Sequence, residues 1–101
     1  MIDLCDDDGV AIACTAVSTA TLIARDAYEV MAEQVCVENR GYMPARLRCG
    51  GADAVAGDLC VTIPPRSREL FAKRAGATHL AAVCDTGCAT TLVAWCIGGA
   101  R

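Results

Sequence analysis

The chain is nearly without aromatic residues: one Phe, one Trp and two Tyr make up 4% of its 101 residues, against 54% hydrophobic residues in all. Its core must therefore be filled with Ala, Val, Leu, Ile and Cys, small side chains that suit closely spaced sheets. It also has no uncharged apolar run of roughly 18 residues, so no membrane-spanning helix is expected. The opening MIDLCDDDG is acidic where a secretory signal is basic and then apolar, and no export signal is read there. There is no basic surplus: the net charge of −3 argues against a nucleic-acid partner.

Charge is unevenly spread. Residues 1–38 hold eight acids against one base, Arg25, whereas residues 39–101 hold four acids against eight bases. Two solvated faces of one fold satisfy this pattern. A sharper reading is that the acidic leading segment meets a basic patch on a neighbouring copy or another protein, where charge sets register and encounter rate more than affinity.

Cysteine is plentiful, with eight in the chain: Cys5, Cys14, Cys36, Cys49, Cys60, Cys84, Cys88 and Cys96. In a short secreted chain that number reads as a disulfide framework, but it allows about a hundred connectivities. Most of these cysteines lie inside apolar runs such as AIACTA and DLCVTI, where the reduced residue serves as a small hydrophobe.

A length of 101 residues is one domain that buries roughly two thirds of its extended-chain surface. Residues 1–9 read as an acidic arm and residues 10–101 as a single β domain. Asp6-Asp7-Asp8-Gly9 has the start of a calcium loop without its later glutamate or flanking helices. Residues 10–24 favour one or two strands. Residues 27–38 alternate as a strand, with helix as the competing reading because Glu, Ala, Met and Gln favour it. Asn39-Arg40-Gly41 marks a turn. Short strands follow at 45–49, 59–63 and 66–73, separated by a flexible loop over 50–58 and by Pro64-Pro65. In the third of these, Leu70 and Ala72 share one side while Glu69, Phe71 and Lys73 share the other.

Residues 78–97, THLAAVCDTGCATTLVAWCI, hold two apolar strand-length runs around Asp85-Thr86-Gly87. The spacing predicts a β-hairpin turned at Gly87, with Cys84 opposite Cys88, Ala82 opposite Thr90 and Leu80 opposite Leu92. The other face would carry Ala81, Val83, Val93, Trp95 and Ile97. Neither face is polar, so both should be covered. Cys84–Cys88 is then a candidate disulfide. Seven or eight short strands with Gly, Pro and Asn punctuation predict an all-β fold, a compact antiparallel β-sandwich or small barrel.

Reactive chemistry finds little support in these residues. His79 is the only histidine, and it reads as an ordinary strand residue. Cys84-x-x-x-Cys88 has loose metal spacing. Ser18 and Ser67 form no legible triad, and Gly50, Gly51 and Gly57 lack the Lys-Ser/Thr of a phosphate loop. No cofactor or metal is expected. Trp95 reads as a core residue.

The series VCVENRG, Pro44-Ala45, RLRCGG, LCVTIPPRSRELF, GATHLAAVCDTGCATTLVAW and IGG, spanning Val35 to Gly99, resembles small proteins from the virion modules of tailed bacteriophages and prophages. Arg66 stands where that family commonly has glycine, and cysteines stand where it usually has Val, Ala, Phe or Thr. The resemblance implies an immunoglobulin-like β-sandwich that decorates or cements a capsid without catalysis. It would assemble in repeated copies on the virion, against the major capsid protein or another virion protein. The contact groups would be the acidic arm (Asp3, Asp6, Asp7, Asp8) and the basic set Arg46, Arg48, Arg66, Arg68, Lys73 and Arg74. The alternative is an extracellular, disulfide-stapled binding or inhibitor domain.

Overall fold

The computed structural model describes residues 9–25, 27–57 and 60–97. The strands are β1 (Val10–Cys14), β2 (Thr19–Leu22), β3 (Gln34–Asn39), β4 (Ala45–Gly50), β5 (Val61–Ile63), β6 (Arg68–Ala72), β7 (His79–Val83) and β8 (Thr90–Ile97). A single helical turn, α1 (Ala27–Val30), lies between β2 and β3. The strands form two antiparallel four-stranded sheets, one ordered β1-β8-β3-β6 and the other β2-β7-β4-β5. The fold is therefore the all-β, antiparallel sandwich that the strand count and turn punctuation predict. Among the described strands, only β4 and β5 are consecutive in the chain and paired with each other. This strand order is that of a jelly roll, so the likeness to an immunoglobulin domain lies in the two-sheet architecture and not in the path of the chain.

That path corrects the expected hairpin. β7 pairs with β2 and β4, β8 pairs with β1 and β3, and the two never pair with each other. Gly87 does take positive φ, at 80°, and Cys88 N–H donates to Asp85 O at 3.0 Å, so the turn forms as expected. It carries the chain across the sandwich instead of back along one sheet. Both strands are apolar on both faces, and each resolves this by taking a central position with a neighbour on either side. Leu80 and Leu92 then meet within one core cluster from opposite sheets, together with Ile12, Val35, Val37, Leu47, Ile63 and Ala82.

The outer faces of the two central strands are covered by the chain itself. Ala81 and Val83 lie beneath Ala54, Ala56 and Cys60, and the backbone N–H of Ala56 donates to Ser18 Oγ at 2.9 Å. The segment expected to be a flexible loop is thus partly a lid on the second sheet. On the first sheet, Val93, Trp95 and Cys36 form a separate buried cluster. Gly9 passes so close above it that a Cβ there would meet Val93 Cγ1 and the Trp95 ring, a close approach that only glycine allows. Trp95 is buried, as expected, but on the outer side of its sheet.

The expected strand over 27–38 is corrected in its first part. Glu29 accepts from the backbone N–H of Arg25 at 2.8 Å and from its guanidinium at 3.1 Å, which closes the α1 turn from its N-terminal side. Alternation starts only at Gln34, after which Val35 and Val37 face the core and Cys36 and Glu38 face outward. At the far end of α1, Lys73 is 4% exposed, and its ammonium donates to Val30 O at 3.0 Å and Ala32 O at 2.9 Å. The last carbonyls of a helical turn lack intrahelical partners; here Val30 O is served by this lysine together with Gly76 N–H at 2.8 Å, and Ala32 O, just past the turn, by the lysine.

Candidate protein-binding surface

Paired β3 and β6 bring Glu38 beside Arg68 and Cys36 beside Leu70 on the outer side of the first sheet. At the end of these strands the turn after Asn39 packs against the turn after Pro65. Asn39 N–H donates to Ser67 O at 2.8 Å, and Arg40 N–H donates to Thr91 O at 2.8 Å. The prolines set an extended entry, and Ser67 Oγ closes the turn on Pro64 O at 2.7 Å. Arg66, in the glycine-like position, has φ of 59°. A residue with a Cβ is strained there. Its guanidinium donates to Arg40 O at 2.7 Å and lies 5.3 Å from the centroid of Tyr42, a ring that is 78% exposed.

From this pair a continuous network runs over the sheet. Arg40 Nε donates to Glu38 Oε1 at 2.9 Å, the same oxygen lies 3.4 Å from Arg68, and the Arg68 guanidinium sits 5.3 Å from the Trp95 ring centroid. Leu70 stands beside it, 56% exposed. Burial pushes the Glu38 carboxyl up, but the hydrogen bond and charge of Arg40, joined by Arg68, hold it below the ordinary glutamate value. Two guanidiniums, those of Arg40 and Arg68, thus flank one ionised carboxylate. Glu38, Asn39, Arg40 and Arg66 line a notch of about 410 Å³.

The basic residues singled out from the sequence do not form one patch. Arg66 and Arg68 belong to the network just described. Arg46 and Arg48 project from the second sheet, where Arg46 pairs with Asp85 at 2.8 Å. Arg48 and Arg74 stand at the rim of a broad cleft of about 1430 Å³ between the two sheets, floored by Val35, Leu47, Cys49, Phe71 and Leu80. Lys73 is buried and holds α1, so it is removed from the surface set. Asp3, Asp6, Asp7 and Asp8 lie outside the described residues.

No family model matches the chain, and no curated protein matches it. It is similar to one solved structure from Bacillus endospore appendages, which form a family of disulfide-linked pili, with 16% identity, 88% of this chain and 85% of that chain covered, and a TM-score of 0.43.

Sequence reasoning missed Arg40 and Tyr42. A signal was present, because an aromatic between Gly41 and Pro44 sits in a turn and cannot be core. His79 lies on β7 with Nδ1 2.7 Å from Thr78 Oγ1, and among the described residues no group of three His, Cys, Asp or Glu side chains is placed to hold a metal. Cys84 and Cys88 are both free thiols. The facing register that made them a candidate pair does not exist, and the Cys84 sulfur is in contact with another cysteine, Cys14, at 3.1 Å.

Proposed function

We propose that the protein is a noncatalytic structural module that docks in repeated copies on a larger assembly, a bacteriophage virion surface on the sequence resemblance, through its Arg40, Arg66, Arg68, Tyr42 and Leu70 face. The observation that carries this reading is Arg66. Backbone strain costs about 1–3 kcal/mol and is retained where something depends on the side chain. Here the strained residue stacks its guanidinium on an exposed tyrosine. Arginine and tyrosine are the residue types enriched at the energetic centres of protein interfaces, and the adjoining leucine adds apolar area.

The exposed guanidiniums of Arg40 and Arg66 fit an acidic partner surface. The leading segment of a second copy, with Asp3, Asp6, Asp7 and Asp8, offers such a surface, as does an acidic patch on a capsid protein. Binding to empty shells and self-association are read by co-sedimentation and sedimentation velocity across a salt series. Association that weakens with salt and is lost in the double variant Arg66→Glu, Arg68→Glu supports the reading. Deletion of residues 1–8 separates the sources, since it abolishes self-association but leaves shell binding through the arginine face intact. Association unchanged by the charge reversal overturns the proposal.

A further inference from the structure

We propose that Cys14 and Cys84 are the site of a disulfide that ties the two sheets together across one corner of the sandwich. Cys14 is the last residue of β1, in the first sheet, and Cys84 follows β7, in the second. Their sulfurs lie 3.1 Å apart, and the two residues are 1% and 3% exposed. The backbones are held side by side as well: Cys84 N–H donates to Thr15 O at 2.7 Å, and the Cys84 sulfur lies 3.7 Å from Cys14 O. At this corner the chain leaves β1 for β2 and leaves β7 for β8, so a bond here fastens two crossings between the sheets at once.

The other cysteines offer a contrast. Cys36 is buried against Val93 and Trp95 on the outer side of the first sheet. Cys60 accepts a hydrogen bond from Gly57 N–H at 3.3 Å within its own loop, and Cys96 is 3.6 Å from Ile23 O. Among the described cysteines, Cys14 and Cys84 are the pair whose sulfurs lie in direct contact.

The reaction is an exchange with an external small-molecule disulfide, for which oxidised glutathione serves as the probe. The two cysteine S–H bonds break, one S–S bond forms between Cys14 and Cys84, and the two electrons reduce the S–S bond of glutathione disulfide. Glutathione leaves as two thiols that carry the two protons. Burial and the neighbouring Cys84 push the Cys14 thiol up to about 12, so the nucleophilic thiolate is scarce once the corner has closed. The exchange therefore belongs to folding, while the pair is still open to the oxidant. The bond would close a long loop, which constrains the unfolded chain more than a bond between Cys84 and Cys88 could.

The test is refolding of the full chain from denaturant with oxidised and reduced glutathione, followed by acid quench, alkylation and combined cleavage before Asp and after Arg or Lys. Residues 8–25 then carry Cys14 alone, and residues 75–84 carry Cys84 alone. The expected result is these two peptides joined as one reducible species, with Tm raised by roughly 10 °C over the reduced protein. Cys14→Ala and Cys84→Ala should each lose that rise, while Cys88→Ala keeps it. If either alanine variant fails to fold, the peptide map of the unmodified chain decides. Cys84 joined to Cys88 or to any other cysteine, or both peptides recovered with free thiols, overturns the assignment.

Discussion

Asn39 and Thr90 meet through a hydrogen bond of 2.6 Å in which the threonine hydroxyl donates to the buried amide oxygen. Asn39 is wholly buried, and its amide also accepts from Gly41 N–H at 3.1 Å and donates to Met43 O at 2.8 Å and Ile63 O at 3.3 Å. All four hydrogen-bonding positions of the side chain are used. One residue thereby joins the end of β3, the following turn, the end of β5 and the start of β8, which is the scaffold beneath the arginine surface.

Replacing Asn39 with Ala leaves the Thr90 hydroxyl, the Gly41 N–H and the carbonyls of Met43 and Ile63 short of partners. The expected loss is about 2–4 kcal/mol, measured by urea unfolding. Thr90→Val removes a single bond and should cost about 1–3 kcal/mol. A neutral Asn39→Ala result contradicts the buried network.

Arg66→Gly separates stability from binding. Glycine relieves the positive φ but loses the contacts to Arg40 and Tyr42 and loosens the unfolded chain, and these terms offset one another to within about 1 kcal/mol. Thermal unfolding should shift little while docking weakens at least tenfold. Full binding by this variant removes Arg66 from the site.

Lys73→Met should behave in the opposite way. It keeps the length of the side chain but deprives Val30 O and Ala32 O of a charged donor, an expected loss of about 1–3 kcal/mol with docking unchanged once the protein is folded. Weaker docking at unchanged stability would return Lys73 to the contact set.

The reduced protein should lose stability as pH rises above the ordinary thiol value of 9.0. Burial raises the thiols of Cys14, Cys36, Cys49 and Cys96. Above 9.0 the unfolded chain releases protons that the folded protein retains, so the stabilisation is complete below that pH and is lost as pH rises toward the folded values. Urea midpoints in the presence of a non-thiol reductant should fall from pH 8 to 10.5, and Cys14→Ala should flatten the slope. At the acid end the sign reverses. Glu38 is lowered against burial by Arg40 and Arg68, and Glu29 is lowered chiefly by its hydrogen bond from Arg25, so their contribution is lost as pH falls through values below 4.5.

Alternation and punctuation made much of the fold legible. The outward and inward sides of 34–38 and of 70–73, the turns at Asn39 and Gly87, and the need to cover both faces of residues 80–83 and 92–95 all follow from local chemistry. Partner choice between strands did not, because a turn between apolar strands looks the same whether the chain stays in one sheet or crosses to the other. The surface was half legible: Arg66 and Arg68 stood out as charges, but their joining to Arg40, Tyr42 and Trp95 needed the pairing of β3 with β6.

The amino-acid sequence by itself determined a small-residue core, extended backbone over 34–38 though not over 27–33, and the turns at Asn39 and Gly87, since these depend on neighbours within a few positions. Only the tertiary structure decided that β7 and β8 lie in opposite sheets, that Lys73 is buried and that Cys84 meets Cys14 and not Cys88. Contacts between residues 70 positions apart depend on how two sheets stack, which no local pattern encodes.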